Sequence, residues 1–172
     1  ILPWDSEFFG YTIARINQAV LLDPPYNRPH EDYAPAIQQF IDIAKDRGVK
    51  YIFAPVVPEN LAVVRALNDN LFSLIETRAH YHRELTNYNY AERFDSRLAR
   101  PEDVESLSSA AVQMVNQYDR FHSDPFIASV DADRMMRQWI HASLLENFAD
   151  GTIVPNVEQP TAFCTAKYHQ HK

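Results

Sequence analysis

Glycine is scarce in this chain, with three in 172 residues, at positions 10, 48 and 151. They are too far apart to build a phosphate-cradling loop, because such a loop needs several backbone N–H groups brought close to one anion. The usual glycine-rich seat for a nucleotide or coenzyme is therefore excluded. There is one cysteine, Cys164, so no internal disulfide can form. That fits a reducing compartment, and a cytoplasmic location is expected. Cys164 lies in the apolar run Ala162-Phe163-Cys164 and reads as a small buried residue. No run approaches the ~20 apolar residues of a membrane helix, and no signal peptide is visible. Runs of Lys and Arg are missing too. With a formal net charge of -7, a nucleic-acid or anionic-membrane partner is a poor expectation. No G-x-S-x-G nucleophile elbow occurs.

Apolar residues make up 46% of the chain, enough for a packed core rather than disorder. The pattern predicts an α/β (α+β) fold in two parts. Residues 1–86 read as a small β-α-β-α-β domain. Alternation through 11–16 predicts a strand. Ile37, Phe40, Ile41 and Ala44 mark one helix face, which Gly48 caps. Residues 51–54 predict a buried strand. Pro58 is placed at a helix start, with a stripe of Leu61, Val64, Leu67 and Leu71. A third strand is expected over 72–85. Residues 87–93, polar and tyrosine-rich, read as a linker.

Residues 94–172 read as β-α-α-β-β. Ser96-Arg97-Leu98-Ala99 predicts a strand, and Pro101-Glu102-Asp103 a helix start that suits the helix dipole. Val104, Leu107, Ala111, Met114, Val115 and Tyr118 form its stripe. After a break over 119–130, Asp131 is expected to cap a second helix, with Met135, Trp139, Ile140, Leu144 and Phe148 on its apolar face and Gly151 at its end. Two strands, 152–154 and 161–168, follow. The last is an apolar open edge, and such edges recruit strands. If the chain is a stable end product, a partner, a homodimer through 161–168 or a rearranged terminus is expected to cover that edge.

Four segments in order carry a resemblance. Trp4-Asp5-Ser6-Glu7-Phe8-Phe9-Gly10, Leu71-Phe72-Ser73-Leu74-Ile75-Glu76-Thr77, Arg97-Leu98-Ala99-Arg100-Pro101-Glu102-Asp103, and Arg120-Phe121-His122-Ser123-Asp124-Pro125-Phe126 with Ala132-Asp133-Arg134 and Trp139-Ile140 resemble the TDP-fucosamine acetyltransferase family of the GNAT acyltransferase superfamily. The resemblance implies an N-acetyltransferase that moves acetyl from acetyl-CoA to the amine of a nucleotide-activated amino sugar. Direct attack by the amine, with backbone N–H groups on the oxyanion, is the implied chemistry. The R/Q-x-x-G-x-G/A loop that would hold acetyl-CoA is absent, so the chain as it stands is expected to be inactive, with the natural protein continuing beyond Lys172. The competing expectation is a non-catalytic ligand-binding or interaction module.

The resemblance places the acceptor beside the loop after the first helix of the second part. Tyr118, Arg120, His122 and Asp124 are the expected substrate-binding residues. Arg120 suits a nucleotide-sugar phosphate, and His122 or Asp124 would help deprotonate an amine. No metal is expected. His80-x-His82 and His169-x-His171 would each share a strand face, yet no carboxylate or Cys completes a site. Trp4, Phe8 and Phe9 are read as anchors of the N-terminal strand, with Asp5 and Ser6 fixing the turn.

Overall fold

The computed structural model describes residues 1–20, 29–84, 86, 94–113 and 119–168. The chain mixes helix and strand and divides into two compact units, Ile1–Leu74 and Ile75–Lys172. The linker expected at 87–93 lies outside the described residues.

The first unit opens on a helix, α1 (Pro3–Phe9), with Pro3 at its first turn and Gly10 as its left-handed cap at φ 74°. β1 (Thr12–Arg15) follows, then α2 (Pro29–Asp46), β2 (Val49–Phe53) and α3 (Leu61–Asp69). β1 and β2 pair in parallel. Gly48, at φ 73°, makes the left-handed step out of α2 as expected, since a side chain there would be strained. Ile37 of α2 and Val63, Ala66 and Leu67 of α3 form the core.

Ser6 ties this unit together. Its hydroxyl donates to the Leu2 carbonyl at 2.6 Å and accepts from the Ile13 N–H at 2.9 Å. The Ile13 carbonyl in turn accepts from the Leu2 N–H at 2.9 Å. The outer edge of β1 is thus closed by α1 instead of by a strand. Ser6→Ala strips the Ile13 N–H of its acceptor, and the first unit should lose about 1–2 kcal/mol in a denaturant titration. A loss under about 0.3 kcal/mol would mean that water replaces the hydroxyl at no cost.

Several expectations for this unit are corrected. The opening is helical, and none of its residues is buried. Trp4 is 38% exposed and stacks on Phe8 with centroids 5.9 Å apart. The aromatics cover their own neighbours more than they fill a core. Pro58 lies in a turn ahead of α3, and Asn60 is the cap, its side chain accepting from the Val63 N–H at 3.3 Å. This cap starts the helix at Leu61, which turns Val63, Ala66 and Leu67 inward and leaves Leu61 exposed. Leu71 lies beyond the helix at φ 62°, in open solvent. β2 is half-buried, not buried. The third strand is not formed across 72–84. Phe72 packs against the core, but Leu74 and Tyr81 are exposed there. Alternation prepares a strand, but only a neighbouring ladder makes one.

The second unit carries β3 (Ser96–Leu98), a single 3₁₀ turn (Pro101–Asp103), α4 (Val104–Gln113), α5 (Arg120–Ser123), α6 (Ser129–Leu145), β4 (Gly151–Pro155) and β5 (Cys164–Ala166). The strands lie in the order β3-β4-β5, antiparallel throughout. Val154 of β4 meets Leu107 and Ala111 of α4 and Ile140 of α6 in one core. Ile153, on the opposite face of the strand, is exposed.

A buried ion pair fixes the start of α4. Arg97 of β3 grips Asp103 with two hydrogen bonds, of 2.6 and 2.9 Å, and Asp103 also accepts from the Arg100 N–H at 2.7 Å. A second expectation is corrected at α6. Its cap is Ala128, in extended geometry, while Asp131 lies one turn inside and pairs with Arg134 at 2.9 Å. The helix stops at Leu145, where Asn147 takes a left-handed step at φ 56°, which asparagine tolerates. Gly151 therefore opens β4 instead of ending the helix, and Phe148 falls outside it, exposed. Met135 and Ile140 are buried as expected, but small residues, Ala132 and Ala142, complete the inner face. Met114, Val115 and Tyr118 lie outside the described residues. Cys164 is exposed on β5, not buried, because β5 is the sheet's edge strand and all three of its residues face solvent.

Candidate functional site

α5 is one turn long, far below the length at which a helix holds itself. Local bonds must therefore fix it. Asp119 caps it, Oδ1 accepting from the N–H groups of Phe121 at 3.0 Å and His122 at 3.1 Å. Phe121 is buried and meets Trp139 of α6 edge-to-face, with centroids 5.2 Å apart. The Ser123 hydroxyl donates to the Asp119 carbonyl.

His122 is the chemical centre. Nδ1 lies 3.1 Å from Asp119 Oδ1 and 2.9 Å from Oδ2. Only Oδ1 is aligned for a hydrogen bond; Oδ2 is in ionic contact. Nε2 lies 3.0 Å from Asp133 Oδ1 on α6. The imidazole side chain is 11% exposed. Burial by itself holds the imidazolium down. The hydrogen bonds to Asp133 and Asp119, and the charges behind them, outweigh burial and raise the pKa above the ordinary histidine value. His122 thus lies between two carboxylates that favour its protonated form. To act as a base it would first have to surrender one of them.

The other expected site residues are placed as follows. Arg120 is half-buried, its guanidinium carbon 4.4 Å from the centroid of the Phe121 ring. Asp124 is buried, and its Oδ1 accepts from the Phe126 N–H at 2.9 Å, which fixes the turn after α5. Tyr118 lies outside the described residues. Arg120 and His122 are thus brought onto one turn, while Asp124 is folded inward. Asp119 and Asp133 were missed as site residues. The cap spacing of Asp119 before an N–H pair was a usable signal. Asp133 had none, since eleven residues and a second helix separate it from His122.

The chain's glycines do not furnish an acetyl-CoA cradle. Gly10 closes α1, Gly48 joins α2 to β2, and Gly151 begins β4, so none opens a helix toward a phosphate. The residues present do not fit that cofactor. His80 and His82 lie exposed in the stretch without a ladder, and His169 and His171 lie outside the described residues. Among the described residues no three His, Cys, Asp or Glu side chains group around a metal position. No described helix is long and apolar enough to cross a membrane.

No protein-family model matches the chain, and no curated protein matches it significantly. Any functional reading therefore stands on these residues and their geometry.

Proposed function

We propose that this chain forms the acceptor side of an N-acetyltransferase of GNAT type, one that takes acetyl from acetyl-CoA to the amine of a nucleotide-activated amino sugar. The observation that carries the reading is the element order of the second unit. An antiparallel β3-β4-β5 sheet with α4 and α6 packed against one face of β4 agrees with what the family resemblance implies for the front of such a domain. Arg120, stacked over Phe121 on α5, supplies planar paired donors of the kind that bind a diphosphate.

The acceptor half is testable without the cofactor. Titrating a TDP-linked amino sugar into the chain should give calorimetric heat, and Arg120→Ala should weaken binding about 10- to 100-fold, the worth of a charge-assisted hydrogen bond. Wild-type chain that gives no heat, or Arg120→Ala that binds equally well, overturns the proposal. A specific observation favours a second reading. All three residues of β5 are exposed at the sheet edge, as expected of an interaction module that recruits a strand, a second copy included. Absence of heat with the sugar nucleotide would favour it.

A further inference from the structure

We propose that His122, Asp119 and Asp133 form a proton-operated clamp, fastening the short helix α5 to α6 while the imidazole carries both protons and releasing it when one is lost to solvent.

The donor count of the imidazole sets the state of the clamp. Each ring nitrogen faces a carboxylate oxygen, at 2.9–3.1 Å on the Asp119 side and 3.0 Å on the Asp133 side. Ionised carboxylates only accept. A neutral imidazole has one N–H and one lone pair. Whichever tautomer forms, its lone pair meets a carboxylate about 3 Å away, so one contact turns from attraction to repulsion. Only the imidazolium satisfies both. Deprotonation sends the proton to water and leaves two negative charges with one donor between them.

Among the described residues, the titratable groups facing the ring are Asp119, on the cap of its own helix, and Asp133, on α6. Arg134 pairs with Asp131 at 2.9 Å, and Arg78 pairs with Glu76 at 2.7 Å. The other packed segment meets α5 through the uncharged Ile75 carbonyl, 3.4 Å from the Ser123 hydroxyl. Phe121 remains held by Trp139, so release is local. It frees the His122 side of α5 while Phe121 keeps its contact with α6.

The direction of the effect follows. The folded state holds the imidazolium more tightly than the unfolded chain does. The clamp's contribution is therefore complete below about pH 6.5 and is lost as pH rises through the folded midpoint. The clamp does not depend on the acceptor reading.

NMR titration of the whole chain tests it. The His122 ring signal, identified by its disappearance in His122→Gln, should titrate above the free-histidine value of about 6.5. Asp133→Asn should lower that midpoint by about one unit. The Asp133 side chain is 44% exposed, so this variant keeps the fold. Amide exchange at Phe121 and at residue 122, corrected for intrinsic base catalysis, should quicken about tenfold across the same midpoint, the worth of one charged hydrogen bond. His122→Gln should show no such step. A midpoint at or below 6.5, a midpoint unmoved by Asp133→Asn, flat exchange through the titration, or a step that persists in His122→Gln would each overturn the clamp.

Discussion

Asp103→Ala should lower the stability of the second unit by about 3 kcal/mol, the low end of the range for breaking a buried ion pair. The Asp103 side chain is 4% exposed and that of Arg97 15%, so the pair is nearly dry but not sealed. The variant loses both Arg97 bonds and the acceptor for the Arg100 N–H. Arg97 keeps the carbonyls of Leu98 and Val157 but no countercharge among the bonds it makes. Asp103→Asn, which can still accept from Arg100, should fall between wild type and alanine. For a unit of this size the alanine variant should melt about 12–20 °C lower.

The same carboxylate sets an acid limit. The hydrogen bonds from Arg97 hold the Asp103 pKa down to about 2, against the opposition of burial and with help from the Arg100 N–H. A lowered folded pKa gives stability that is fully present above the unfolded value near 3.8 and is lost as pH falls from there toward 2. Between pH 4 and 2, wild type should therefore lose stability more steeply than Asp103→Ala. Parallel curves would assign the acid sensitivity to other carboxylates.

Leu107→Ala should cost a similar amount, about 3–4 kcal/mol. Leu107 is wholly buried, with relative exposure 0%, where α4, α6 and β4 meet. Ala111, Ile140 and Val154 surround it, and Ala99, Met136, Leu144 and Phe163 close the cluster. Removing its branched end loses transfer energy and leaves a hole that three fixed elements cannot fill. Leu107→Met keeps most of the volume and should cost less than about 1.5 kcal/mol. If alanine and methionine cost the same, the site collapses freely and the core is less rigid than its burial implies.

Local chemistry was legible wherever one residue settles a local question. Gly48 had to mark the end of α2, because a left-handed step costs other residues strain. Pro101, Glu102 and Asp103 had to mark the start of α4, because a missing N–H and negative charge suit that end of a helix. Periodicity gave the strand near 11–16 and the helix faces through Ile37, Leu107, Met135 and Ile140. It misjudged the facing of α3. Asn60, a cap two residues beyond Pro58, set the rotation, and short residues such as Ala66 did the packing.

At the candidate site the sequence supplied the loop and two of its charges. His122 looked like a base as long as its neighbours were unknown. Asp133, on another helix, occupies its second ring nitrogen. The stretch at 72–84 shows the same limit in the fold. It was expected to be a strand, yet Tyr81 stands 93% exposed, with no ladder partner among the described residues.

By itself, then, the sequence determined the class of fold, the helix ends marked by Gly48 and Pro101, and the lack of any glycine-rich seat for a coenzyme. Each follows from the conformational limits of single residues or from a short period. The tertiary structure alone decided that Ser6 and α1 close the edge of β1, that Arg97 grips Asp103 across the start of α4, that Cys164 faces solvent on an edge strand, and that His122 sits between two carboxylates. The polar contacts among them join residues no more than 11 apart in the chain, but on elements whose mutual placement only packing sets, and the exposure of Cys164 depends on where β5 lies in its sheet.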